Sequence, residues 1–210
     1  MGLYDLLKKI KKETNVTEEK VQENNTEVKV ELSDKEKIVE RLPKFKYHPN
    51  LYTNNIVTFA KGTCQCCNKE VDAYVETMYT AEDVDCICLH CIADGSAAKK
   101  FNGTFIQDYD IINNPEAVDE LENRTPGYVS WQGENWLACC NDYCEFLGDV
   151  GTKELNAMGI AEEVFDEYEA NYEYDDFQWV KDHLTAAGSV AGYLFRCRKC
   201  GKYHLNVDMS

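Results

Sequence analysis

The chain has no apolar run of transmembrane length, and its opening stretch, Met1–Lys12, has no run of seven apolar residues. No secretory signal or membrane span is therefore expected. Also missing are H-E-x-x-H, Walker A, a Rossmann glycine run and the H-x-E deaminase motif, so the usual signatures of catalysis are absent. Basic charge is scarce: 22 Lys and Arg stand against 38 Asp and Glu, a formal net charge of −16. The shortfall lies in the body, where residues 47–210 hold 11 basic and 28 acidic side chains; residues 1–46 hold 11 and 10. Proteins that bind nucleic acid do so through basic faces that displace counterions from phosphates. A body this acidic repels phosphates, so the expectation is no nucleic-acid role and, if anything, a basic protein partner. Without an export signal the expected location is cytoplasmic.

What the chain has in excess is cysteine, 11 residues in 210. In a reducing compartment clustered cysteines are metal ligands more often than disulfides, and an odd number leaves one thiol over in any disulfide framework. Two C-x-x-C pairs, Cys64/Cys67 and Cys88/Cys91, flank residues 68–87, a spacing at the upper end of that for Cys₄ zinc sites. In such a knuckle two thiolates reach one ion from a tight turn. The residue after the second cysteine favours the left-handed conformation, where Gly or Asn is cheap; Asn68 stands there. A third pair, Cys197/Cys200 followed by Gly201-Lys202, reads as strand, knuckle, strand. Zinc wants four ligands, so this knuckle needs two more. Ser130 is expected to cap a helix carrying Trp131, Trp136, Leu137 and Cys140-Asn-Asp-Tyr-Cys144, which puts Cys140 and Cys144 on one helical face as donors.

The expected metal ligands are therefore Cys64, Cys67, Cys88, Cys91, Cys140, Cys144, Cys197 and Cys200, holding two Zn²⁺ per chain, with Cys66, Cys86 and Cys139 spare. Spacing leaves the partition open: Cys66 for a neighbour, Cys139 for Cys140, or Cys64/Cys67 paired with Cys197/Cys200.

Around these cysteines the pattern predicts an α+β fold, one zinc-stabilised domain over 44–210 with β-hairpin knuckles and several short helices. Strands are expected at Ile56–Phe59 and Val71–Met78, and a helical turn at Thr80–Asp83. Helices are expected after Asp94-Gly95-Ser96, after the Asn114 cap with Pro115 at its first position, and from Asp175 with Phe177, Val180, Leu184 and Ala187 inward and Gly188 closing it. Residues 1–43 form an arm. Leu3, Leu6, Leu7 and Ile10 make a helical stripe, either an amphipathic helix docking on a membrane surface or partner or a tail helix on its own domain. Glu13–Glu27 reads as flexible linker, Val28–Leu32 as a short strand, and Ser33 with Glu36 as a capping box. The acidic run Glu162–Asp176 is either a solvated helix face or a docking surface for a basic partner.

Taken in order, Tyr47-His48-Pro49, Cys88-Leu-His-Cys91-Ile-Ala-Asp-Gly-Ser-Ala-Ala98, Arg124-Thr-Pro-Gly-Tyr128, Cys140-Asn-Asp-Tyr-Cys144 and Gly192-Tyr-Leu-Phe-Arg-Cys197-Arg-Lys-Cys200-Gly201 resemble the CbrC family, a bacterial group associated with colicin tolerance. The resemblance spans 44–210. It departs at Asn68, where a Gly is expected, and at the extra thiols Cys66 and Cys139. It implies zinc binding through the same eight cysteines and a stress or bacteriocin-tolerance context.

Three function classes follow. Closed Cys₄ sites leave no coordination position for water, which favours a non-enzymatic binding or adaptor module. An enzyme would draw on His48, Asp94 or Asp142. A redox sensor would use the spare thiols Cys66, Cys86 and Cys139 beside zinc.

Overall fold

The computed structural model describes residues 33–171 and 176–209. The expected helix of residues 1–12, the linker and the strand at Val28–Leu32 lie outside them. The chain divides after Glu40, and the two parts are taken separately. In the first, α1 (Asp34–Val39) opens on the expected capping box: Glu36 N donates to Ser33 Oγ at 3.3 Å, and Ser33 N donates to Glu36 Oε2 at 2.8 Å.

From Arg41 onward helices alternate with small antiparallel sheets, the α+β class expected. Three two-stranded ladders come first: β1 (Gly62–Thr63) with β2 (Glu70–Val71), β3 (Tyr74–Val75) with β4 (Ile87–Cys88), and β5 (Ala138–Cys139) with β6 (Asp142–Tyr143). The helices α2 (Leu89–Ala93), α3 (Ser96–Phe101) and α4 (Pro115–Arg124) lie between them in sequence. Asn114 caps α4 as expected, its Oδ1 accepting from Ala117 N.

A three-stranded sheet follows, ordered β7 (Glu145–Val150), β8 (Val190–Arg196), β9 (Tyr203–Met209). Between β7 and β8 run α5 (Thr152–Met158), α6 (Ala161–Asn171) and α7 (Phe177–His183). Strand β8 is buried along almost its whole length, because both sheet faces are covered. Its period of two sends Ala191, Tyr193 and Phe195, with Cys197 just beyond, to one face. There they meet Tyr47, Tyr128, Trp136, Tyr143 and Phe146. Val190 and Leu194 go to the other face, against Leu155, Val164, Phe165, Tyr168, Val180 and Leu184. Gly192 is needed at the crossing: a Cβ there would stand 2.6 Å from the Val150 carbonyl oxygen.

Several local expectations give way to tertiary context. Ile56–Phe59 forms no strand, only a bridge from Thr58 to Tyr74. Val71–Met78 is broken after Val71 into β2 and β3. Thr80 makes no helical turn; its Oγ1 donates to the Phe101 carbonyl and accepts from Glu82 N, tying the loop to α3. Helix α7 ends at His183, capped at its start by Asp176. Ala187 lies beyond it, exposed and at φ 57°, so it does not face inward. No helix among the described residues is long and apolar enough to cross a membrane.

The largest difference concerns residues 130–144. The expected helix is instead a loop leading into the β5–β6 hairpin. Cys140 and Asn141 form its two-residue turn, with φ of 55° and 54°. Left-handed conformations at both turn residues match the twist of the flanking strands and close a type I′ hairpin.

Candidate metal centres

Two groups of four cysteines converge, each with its four Sγ atoms within 4.8 Å of one another: Cys64, Cys67, Cys88 and Cys91, then Cys139, Cys140, Cys197 and Cys200.

In the first, Cys64 and Cys67 sit in the turn between β1 and β2. Cys64 N donates to the Lys69 carbonyl at 2.9 Å, and Asn68 N donates to the Cys64 carbonyl at 2.8 Å. Asn68 takes φ 59°, the left-handed position foreseen for it. Cys88 closes β4 and opens α2, and Cys91 follows inside that helix's first turn, so one strand-to-helix junction delivers both sulfurs. Cys67 Sγ and Cys88 Sγ stand 3.9 Å apart. Cys88 N donates to Cys64 Sγ at 3.3 Å. Burial pushes the Cys64 thiol up, but the N–H groups of Cys88, Cys67 and Cys66 overcome it and bring the thiol down to about 7. Such a sulfur is ready to serve as a thiolate. Lys100, from α3, donates its Nζ to the carbonyls of Gln65 and Cys66 at 2.6 and 2.9 Å, tying the turn to that helix.

The second group repeats the knuckle. Cys197 N donates to the Lys202 carbonyl at 2.8 Å, Gly201 N donates to the Cys197 carbonyl at 3.0 Å, and Gly201 takes φ 78°. The offsets match those of the first knuckle, with Gly201 in the place of Asn68. Burial again opposes ionisation of the leading cysteine, and the N–H groups of Cys200 and Lys199 win, holding Cys197 at about 6. The other two sulfurs come from the β5–β6 hairpin, Cys139 from its strand and Cys140 from its turn. Cys139 Sγ lies 3.7 Å from both Cys140 Sγ and Cys200 Sγ. Lys199 Nζ donates to the Cys140 carbonyl at 2.9 Å, joining knuckle to hairpin.

Seven of the eight expected ligands lie in these groups, and the knuckle exchange that spacing allowed does not occur. Cys144 is the exception. It is fully buried in the aromatic cluster, where burial pushes its thiol up, and its carbonyl accepts from Trp136 Nε1 at 2.9 Å. Cys139 takes its place in the group. The pairing of Cys140 with Cys144 required a helix; a hairpin offers Cys139 and Cys140 at its tip instead. The signal for this is Asn141, which favours a left-handed turn as Asn68 does in the same Cys-Cys-Asn setting. Of the other thiols, Cys66 is half-buried with Sγ 3.6 Å from Ser96 Oγ. Cys86 is buried against Gly62, where a Cβ would lie 2.9 Å from its sulfur.

The donor sets fit a metal. With metal–sulfur bonds of about 2.3 Å, a tetrahedron sets neighbouring sulfurs about 3.8 Å apart. The spacings of 3.7 and 3.9 Å match that edge. Sulfur-only tetrads are sites for zinc or iron.

The three residues considered for catalysis have structural partners. His48 is buried, with Nδ1 2.9 Å from the Pro126 carbonyl and Nε2 3.0 Å from Asn54 Nδ2. One neutral tautomer, protonated on Nδ1, satisfies both contacts, and burial lowers the imidazole to about 4. Asp142 accepts from Tyr47 Oη at 2.6 Å and from its neighbour Tyr143 N at 3.0 Å. Asp94 Oδ1 accepts from Ser96 N at 2.9 Å.

A profile described as "Uncharacterised protein family (UPF0167)" matches residues 42–209. The UPF0167 protein PA1536 of Pseudomonas aeruginosa is 37% identical over 177 residues, covering 80% of this chain and 98% of the relative. The UPF0167 protein Mb2317 of Mycobacterium bovis is 33% identical over 183 residues, covering 81% of this chain and 95% of the relative. No solved structure matches the chain. With the profile spanning nearly all of the body and relatives aligned along almost their whole length, the chain belongs to the UPF0167 family.

Proposed function

We propose that this protein is a zinc-binding, non-enzymatic interaction module that holds two Zn²⁺ ions, one in each Cys₄ group. The observation that carries the reading is the convergence of two sulfur-only tetrads, each with its four Sγ atoms within 4.8 Å of one another. Four thiolates fill the coordination sphere of zinc and leave no position for a substrate or an activated water. Zinc is favoured over iron because it has no redox chemistry of its own, and two of these cysteines, Cys140 and Cys200, are exposed. The engagement of His48, Asp94 and Asp142 in structural bonds also supports a binding role.

The partner we propose is a basic protein. Glu162, Glu163, Asp166 and Glu169 line the solvent face of α6, while Val164, Phe165 and Tyr168 are buried on its other side. The setting we propose is the cytoplasm. The CbrC resemblance is compatible with UPF0167 membership and supports a link to stress or bacteriocin tolerance.

Elemental analysis of the untagged full chain tests the metal reading. Two zinc ions per chain are expected, with no iron absorption in the visible range. An oxygen or nitrogen ligand at either metal by X-ray absorption would contradict it.

A further inference from the structure

We propose that the second Cys₄ site is a site of oxidation by hydroperoxides, at which Cys139 and Cys200 close a disulfide and the metal is given up, while the first site stays intact. This rests on the two-metal reading above and adds a difference in role between the sites.

Access is the first ground. In the first group Cys64, Cys88 and Cys91 are buried and Cys67 is half-buried; in the second Cys140 and Cys200 are exposed, Cys139 is half-buried and only Cys197 is buried. The second group is therefore the one that a hydroperoxide in water meets first. Geometry is the second. Cys139 Sγ is 3.7 Å from Cys200 Sγ and equally far from Cys140 Sγ. Adjacent residues have Cα atoms about 3.8 Å apart, below the usual range for a disulfide, so Cys200 is the better partner.

The chemistry balances without another reactant. The Cys200 thiolate attacks one peroxide oxygen, the O–O bond breaks, and a sulfenic acid and hydroxide result. The Cys139 thiolate then attacks that sulfur and expels a second hydroxide as the S–S bond forms. Two sulfurs are oxidised by one electron each and one peroxide is reduced. Cys140 and Cys197 remain, two donors where the ion takes four.

The scaffold tolerates the loss. Strands β8 and β9 pair over seven residues from Val190 to Arg196. Behind the site Cys197, Tyr143 and Phe195 are held in the aromatic cluster. Cys139 and Cys140 sit on the two-residue β5–β6 ladder, but in the first group all four ligands depend on two-residue ladders and the short helix α2, with no long strand pair beside them.

The test treats zinc-loaded full chain with stoichiometric hydrogen peroxide, follows zinc with a chromogenic chelator and maps the linked peptides by mass spectrometry. The expected result is release of one zinc of two, a Cys139–Cys200 link, and recovery of zinc binding after thiol reduction. The Cys66→Ser, Cys86→Ser double variant should respond as the parent does. Release of both ions or of neither, a link among Cys64, Cys67, Cys88 and Cys91, or dependence on Cys66 or Cys86 would overturn the proposal. A chain that carries fewer than two metals before peroxide overturns the two-metal reading itself, so the two failures are distinguishable.

Discussion

A cysteine sulfur serves either as a small apolar filler or as a ligand, and burial alone does not separate the two roles. Cys144 and Cys139 divide along this line. Cys144 fills space beneath Trp136, whereas Cys139 faces three other sulfurs. Cys139→Ser should lower the metal content from two ions to one. Cys144→Ser should keep both and lose on the order of 1 kcal/mol of stability, as a buried polar replacement does. Metal analysis with urea unfolding separates these outcomes; metal loss on Cys144→Ser alone would reinstate Cys144 as the ligand. His48 supplies a pH signature. Its folded pKa is lowered to about 4, against about 6.5 unfolded. The unfolded chain therefore binds the extra proton first, and the contribution of neutral His48 is complete above about 6.5 and lost as pH falls toward 4. His48→Gln should flatten the stability slope across that window relative to the parent. An unchanged slope would mean the imidazole does not titrate as described.

At the level of elements, the β5–β6 hairpin decides the second site. It holds Cys139 and Cys140 in place through a turn that needs two left-handed residues, at a cost of about 1–2 kcal/mol for a residue unsuited to that conformation. Asn141 tolerates it and anchors the turn, Oδ1 accepting from Asn113 N at 3.0 Å and Nδ2 donating to Asn113 O at 3.2 Å. Asn141→Ala should therefore weaken metal at the second site by about tenfold or more, from that cost, and leave the first unchanged. Competition with a graded chelator measures this, and equal weakening at both sites would refute the division of labour. The two knuckles were legible in the sequence because everything that specifies them is local: two cysteines, a turn and a residue suited to positive φ. The hairpin was not legible as such. Trp136, Leu137 and Cys139-Cys140 suit a helix face as well as a strand, and the choice is made by aromatic packing against β7 and β8, which is remote in sequence. Likewise Ile56–Phe59 has strand composition, but the described residues give it one bridge to Tyr74 and no full partner strand.

For the whole molecule, the fold class and the presence of two sulfur sites could be read from composition and spacing. Which sulfurs share a site could not, because the second group joins residues about sixty positions apart through the sheet. The two groups have different structural backing. The second leans on a sheet with both faces buried, and the first organises a region of two-residue ladders tied by Lys100 to α3. Binding energies of about 10–16 kcal/mol for structural zinc are as large as the whole stability of a typical domain, so removing the first ion should unfold its surroundings. The most direct test of the account is the metal content of the full chain together with its ligand count. Two metals per chain, each with four sulfur neighbours at about 2.3 Å, is the result the account predicts. One metal, or any site completed by oxygen or nitrogen, would contradict it.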